Sequence, residues 1–78
     1  MEEDKKIEGL VSAMEISKIF GISYQTVNYY TNLGILRTKE VKGNRRLYDL
    51  EETRKRLDLV RKYKKKGYPL RVIRDELL

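Results

Sequence analysis

Apolar residues recur at helical spacing in four stretches of this chain, separated in the middle by a segment that lacks the period. Ahead of the first stretch, Met1 to Lys6 has no periodicity and carries five charges in six residues. Residues 1–9 therefore read as a flexible N-terminal tail, with structure starting near Ile7 and the domain itself at Leu10. Ser12-Ala13-Met14-Glu15 fits a capping box, in which the Ser12 hydroxyl and the Glu15 carboxylate each satisfy an unpaired backbone N–H. The helix so started is predicted to run to about Phe20, with Ile16, Ile19 and Phe20 as one buried face and Gly21 as its stop. Ser23 is the next N-cap. From Tyr24 to Leu33 the positions Val27, Tyr30 and Leu33 again keep helical spacing, closed by Gly34 as a left-handed cap. Two short helices joined by Gly21-Ile22-Ser23 meet the needs of a helix-turn-helix, whose turn must be brief enough to cross the helices steeply. The second would be the recognition helix, although any helical hairpin with a Gly turn leaves a similar trace.

The aperiodic middle segment reads as two strands, Leu36 to Val41 and Arg45 to Tyr48, flanking a Lys42-Gly43-Asn44 turn. A lone hairpin of this length is marginal in water and needs support, which the helices are expected to give. Asp49 then offers a third N-cap with Glu52 at N3, and Leu50, Leu57 and Val60 carry a long helix ending at Gly67. Lys64 falls in that same stripe, so its stem must snorkel or the last turn must lie beyond the core; Leu59 faces the opposite way as an isolated exposed Leu. Tyr68-Pro69-Leu70 restarts a helix, with Leu70, Ile73 and Leu77 as its stripe. No linker, repeat or low-complexity tract divides the chain. The expected fold is mainly α: a single-domain helix-helix-β-hairpin wing-helix-helix unit.

Composition removes most chemistry. The chain of 78 residues has no Cys and no His, so disulfides, thiol nucleophiles, imidazole bases and the usual zinc ligands are absent. No nucleophile–base pair or phosphate loop is visible, so no enzyme activity, metal or cofactor is expected. No apolar run approaches the ~20 residues of a membrane span, and the acidic start is unlike a secretory signal, which points to the cytoplasm and, for a DNA binder, the nucleoid. The net charge of +6 is unevenly placed. Met1 to Gly34 holds 3 basic and 5 acidic residues, whereas Ile35 to Leu78 holds 15 and 7. Such clustering focuses a positive potential suited to a polyanion. The hairpin alone carries Arg37, Lys39, Lys42, Arg45 and Arg46 against Glu40. Beside a recognition helix it is a wing whose cations neutralise phosphates; as a mere sheet edge it would need fewer of them. The run Lys64-Lys65-Lys66 fits phosphate contact and the negative end of a helix dipole equally well.

The segments Met14 to Phe20, Gly21-Ile22-Ser23, Thr26-Val27, Tyr29-Tyr30, Leu33-Gly34-Ile35-Leu36, Arg46-Leu47-Tyr48 and Gly67-Tyr68-Pro69-Leu70, in this order and spacing, resemble the amino-terminal DNA-binding domain of MerR-type transcriptional regulators. The resemblance covers roughly Leu10 to the end. It implies a winged helix-turn-helix that binds double-stranded DNA in transcription regulation. In the full-length family a long carboxy-terminal coiled coil makes a homodimer that distorts promoter DNA; this chain is expected to stop before that coiled coil, and no effector sensing is carried over. Related winged helices in small excisionases bend DNA without a sensor, and a basic module that grips an acidic protein partner is a reading from another class.

By position, the resemblance puts Tyr24, Gln25, Thr26 and Asn28 on the exposed face of the recognition helix, with Tyr29 as a phosphate donor and Tyr30 in the core. Arg is common in the family where this chain has Gln25 and Asn28. Gln and Asn match the paired donor and acceptor of adenine rather than the two acceptors of guanine. The wing contacts implied are Arg37, Lys39, Lys42, Asn44, Arg45, Arg46 and Tyr48.

Overall fold

A computed structural model describes residues 9–77, so the predicted tail, Gly9 excepted, and Leu78 lie outside the described residues. The order is β1 (Leu10–Ser12), α1 (Ala13–Phe20), α2 (Tyr24–Leu33), β2 (Glu40–Lys42), β3 (Arg45–Asp49), α3 (Leu50–Lys65) and α4 (Leu70–Leu77). Among the described residues, four helices and a small sheet make the mainly helical single domain that the sequence predicts.

Short polar side chains start the first three helices. Ser12 Oγ accepts from the Glu15 N–H at 3.2 Å while Glu15 Oε1 accepts from the Ser12 N–H at 2.8 Å, a complete capping box. Ser23 Oγ accepts from the Thr26 N–H at 3.0 Å, and Asp49 Oδ1 from the Glu52 N–H at 2.8 Å. The Glu52 carboxylate does not return to the cap: it meets Arg37 Nε at 3.1 Å and Arg56 Nε at 3.4 Å.

The sheet departs from expectation in two places. β1 pairs antiparallel with β3, with Leu10 opposite Asp49 and Ser12 opposite Leu47, so β3 is the central strand of the order β1-β3-β2. Three residues, the last of which doubles as a helix cap, are too few to show a strand period. The wing therefore gains a covalently distant strand as support, in addition to the helices. Gly9 is tied in as well, its carbonyl accepting the Leu50 N–H at 2.8 Å. Secondly, the strand predicted from Leu36 to Val41 shrinks to Glu40–Lys42, and Lys42 pairs with Arg45 instead of lying in the turn. Successive residues of a strand point to opposite faces. Ile35 and Leu36 are both buried, and their N–H groups both bond the Tyr30 carbonyl at the end of α2, at 2.9 and 3.2 Å, so they belong to that helix's cap. The loop that remains between β2 and β3 is Gly43-Asn44, with Gly43 at φ 59°, the positive φ that a primed hairpin turn needs at its first central position.

The core gathers Val11, Ile16, Val27, Ile35, Leu36, Tyr48, Leu57, Val60 and Ile73. In α1 the buried stripe is Ala13 and Ile16 continued by the half-buried Phe20; Ile19, predicted to share it, is 50% exposed because it falls to one side of that line. In α3 the stripe includes Thr53, which its polarity hid, and it continues through the half-buried Tyr63 rather than Lys64, which is exposed. Leu59 is half-buried rather than freely exposed and borders a shallow groove with Leu77. Tyr63 and Tyr68 stack with ring centroids 5.5 Å apart across the α3–α4 turn. Arg56 ties the far end together. With its side chain only 11% exposed, it donates to the Ile35 carbonyl at 3.0 Å and the Leu77 carbonyl at 3.3 Å.

Tyr48, read from the sequence as a wing contact, is fully buried at 0% exposure and leaves that set. Its hydroxyl lies 2.8 Å from Thr31 Oγ1. The Thr31 hydroxyl proton is already directed to the Val27 carbonyl at 2.8 Å, so Tyr48 donates. Tyr48→Phe should lower unfolding free energy by about 1 kcal/mol in urea denaturation, the net value of one buried hydrogen bond. Gly34 sits at φ 90°, and a Cβ there would meet only Arg74 at 3.8 Å. Gly34→Ala should therefore cost about 1–2 kcal/mol by the same measurement, from torsional strain and not from a clash.

Candidate nucleic-acid interface

One groove of the surface brings together residues from α1, α2 and the wing. From α2 it takes Tyr24, Asn28 and Asn32, which stand at successive i, i+4 positions and so form one stripe along the helix. The wing supplies Asn44, Arg45 and Arg46, and Ser12, Ala13 and Met14 come from the start of α1. The local sequence explains the placement. Val27 and Tyr30 bury the inner face of α2, which turns Tyr24 and Asn28 outward. In β3 the side chains alternate, so Arg46 shares the face of Tyr48, the residue whose hydroxyl reaches α2. The buried Tyr48 thus fixes the side of the wing on which Arg46 stands.

The groove has a definite electrostatic character. Its lining contains two guanidinium groups and no carboxylate. Among the described residues the ion pairs are those of Arg37, Arg54, Arg56 and Arg74, which leaves Lys39, Lys42, Arg45 and Arg46 with no acidic partner. Four unpaired cations on a projecting hairpin are an exposed field for an anion, with no competing internal contact to break first.

The residues expected to act together divide into those the groove unites and those it does not. Tyr24, Asn28, Asn44, Arg45 and Arg46 line it. Gln25 and Tyr29 lie one position further round α2, both exposed, with the Tyr29 ring 6.3 Å from Tyr30. Thr26 is half-buried and its hydroxyl accepts from Ser23 Oγ at 2.9 Å, so it is engaged in the helix cap. Lys39 and Lys42 are exposed, Lys39 being held by its N–H to the Leu47 carbonyl at 2.7 Å. Arg37 stands elsewhere, bonded to Glu52 and bordering the groove shared by Leu59 and Leu77. Asn32 and Met14 line the site and went unnoticed in the sequence. For Asn32 a signal existed, since it follows Asn28 by four residues; for Met14 none did, because an apolar residue in a capping box suggests a helix start and nothing more.

No helix among the described residues is long and apolar enough to cross a membrane. Residues 11–78 match the family described as MerR HTH family regulatory protein. The chain is also similar to the HTH-type transcriptional regulator CueR of Bacillus subtilis (strain 168), with 40% identity over 63 residues that make up 81% of this chain and 43% of that relative. It thus spans less than half of the relative's length. No solved structure matches the chain. With the family match covering nearly the whole winged domain, the chain belongs to the MerR HTH family of regulatory proteins.

Proposed function

We propose that this chain is a sequence-reading double-stranded DNA-binding module that serves transcription regulation. α2 enters the major groove as the recognition helix, and the β2–β3 wing lies along the adjacent backbone. The observation that carries this reading is the groove in which amide and phenol groups of α2 face unpaired arginines of the wing, with no carboxylate between them. Polar side chains on a helix read base edges, while cations on a projecting hairpin neutralise phosphates without reading sequence. Family membership and the regulator named among the relatives support the same assignment.

Roles follow from position. Asn28 presents an amide to a base edge, with Gln25 beside it on the next helical row, and both complement adenine. Tyr24 and Tyr29 place exposed phenols where the helix meets the backbone. Arg45, Arg46, Lys39 and Lys42 supply the phosphate contacts, and Asn44 sits at the wing tip between them. Arg37 serves the fold through Glu52 more than the interface.

The test is fluorescence anisotropy with a pool of random duplexes at two salt concentrations, followed by sequencing of the bound fraction. Binding that weakens steeply with salt and enriches a motif is the expected result; binding indifferent to salt and sequence would refute the proposal. Arg45→Ala should weaken all duplexes alike and make the slope of log affinity against log salt shallower by about one unit. Asn28→Ala should instead relax sequence preference, costing ~1–3 kcal/mol of discrimination at one base pair while affinity for random duplex changes little.

A further inference from the structure

We infer that the groove is built for a short run of A·T pairs, with Asn32 as a second adenine contact and Met14 as the surface that receives a thymine methyl. This rests on the DNA-binding reading above and deepens it. Asn28 and Asn32 stand one turn apart on the same stripe of α2, both bordering the groove. Four residues of helix rise about 6 Å, close to two base steps of about 3.4 Å. Two amides at that interval address, from one helix face, two pairs that lie two steps apart. Each amide offers one donor and one acceptor side by side, the complement of adenine N6 and N7; guanine O6 and N7 ask for two donors, which a helix arginine would supply and which α2 lacks in this stripe.

Met14 supplies the other half of the pair. It is 50% exposed, yet it opens into the same groove as the two amides, an apolar thioether among polar neighbours. The major-groove feature that such a side chain complements is the 5-methyl of thymine, the one apolar group on the base edges there. Its unbranched, freely rotating stem lets it follow the methyl. Both side chains are exposed or rim positions outside the buried core, so truncating them leaves the fold in place.

The experiment uses the full chain and the duplex enriched from a randomised pool. That duplex is resynthesised with deoxyuridine for thymidine, which deletes only the 5-methyl, and with 7-deaza-deoxyadenosine for deoxyadenosine, which deletes only the N7 acceptor. The enriched site should hold A·T pairs two steps apart. Loss of one N7 should weaken wild-type binding about fivefold, and at one of the two positions Asn32→Ala should abolish that penalty. Loss of one methyl should weaken wild-type binding about fourfold, and Met14→Ala should remove the penalty whereas Met14→Leu retains it. Salt-sensitive binding without A·T enrichment, or analogue penalties that neither Asn32→Ala nor Met14→Ala alters, overturns this inference and leaves the DNA-binding reading standing. Absence of salt-sensitive binding to the pool overturns both.

Discussion

The burial of Tyr48 is the constraint on which the rest of the domain depends. Its ring occupies the space between the sheet and α2, and its hydroxyl donates to Thr31, whose own proton goes back to the α2 backbone. A phenol held in this way cannot slide along the helix without leaving a buried hydroxyl unpaired. The register of β3 against α2 is therefore fixed, and through the β3 pairings so are β1 on one side and β2 on the other. The wing has no core of its own, since all three residues of β2 are exposed. Its direction is inherited from the strand it shares with Tyr48.

This explains how a small, heavily charged chain presents a shaped surface. The buried apolar residues form one cluster that joins β1 to α4, from Val11 to Ile73. Positions outside that cluster can be polar, and the groove uses that freedom: amides of α2, guanidinium groups of the wing and the start of α1 line it together. Glu15 and Asp49 accept backbone N–H groups at helix starts, Glu52 pairs with Arg37 and Arg56, and no carboxylate lines the groove.

Helices were legible because each has a strong local cause. The caps at Ser12, Ser23 and Asp49 and the stripes that follow them are written in consecutive residues. β1 was illegible because a strand of three residues derives its existence from a partner more than thirty residues away. The same non-local cause misassigned Leu36, an apolar residue ahead of a hairpin, which is drawn into the core by the cap of α2 and not by the sheet. At the site, Tyr24 and Asn28 were placed on the outward face of α2 by the family resemblance, and both line the groove. The depth of Tyr48 was not visible in advance, since Arg46-Leu47-Tyr48 has no clean alternation: the half-buried Leu47 faces away from the deeply buried Tyr48. Nor did spacing show that Arg37 would turn to Glu52.

Arg56 has a consequence for how the domain comes apart. One guanidinium spans the carboxylate of Glu52, the carbonyl of Ile35 and the carbonyl of Leu77. Peeling α4 away would strip that cation of a partner in a place where water has little access, a cost that fraying of a short helix does not ordinarily meet. α4 is thereby enrolled in the same cooperative unit as the loop that carries the wing, and amide hydrogen exchange in the two should proceed through one opening instead of two.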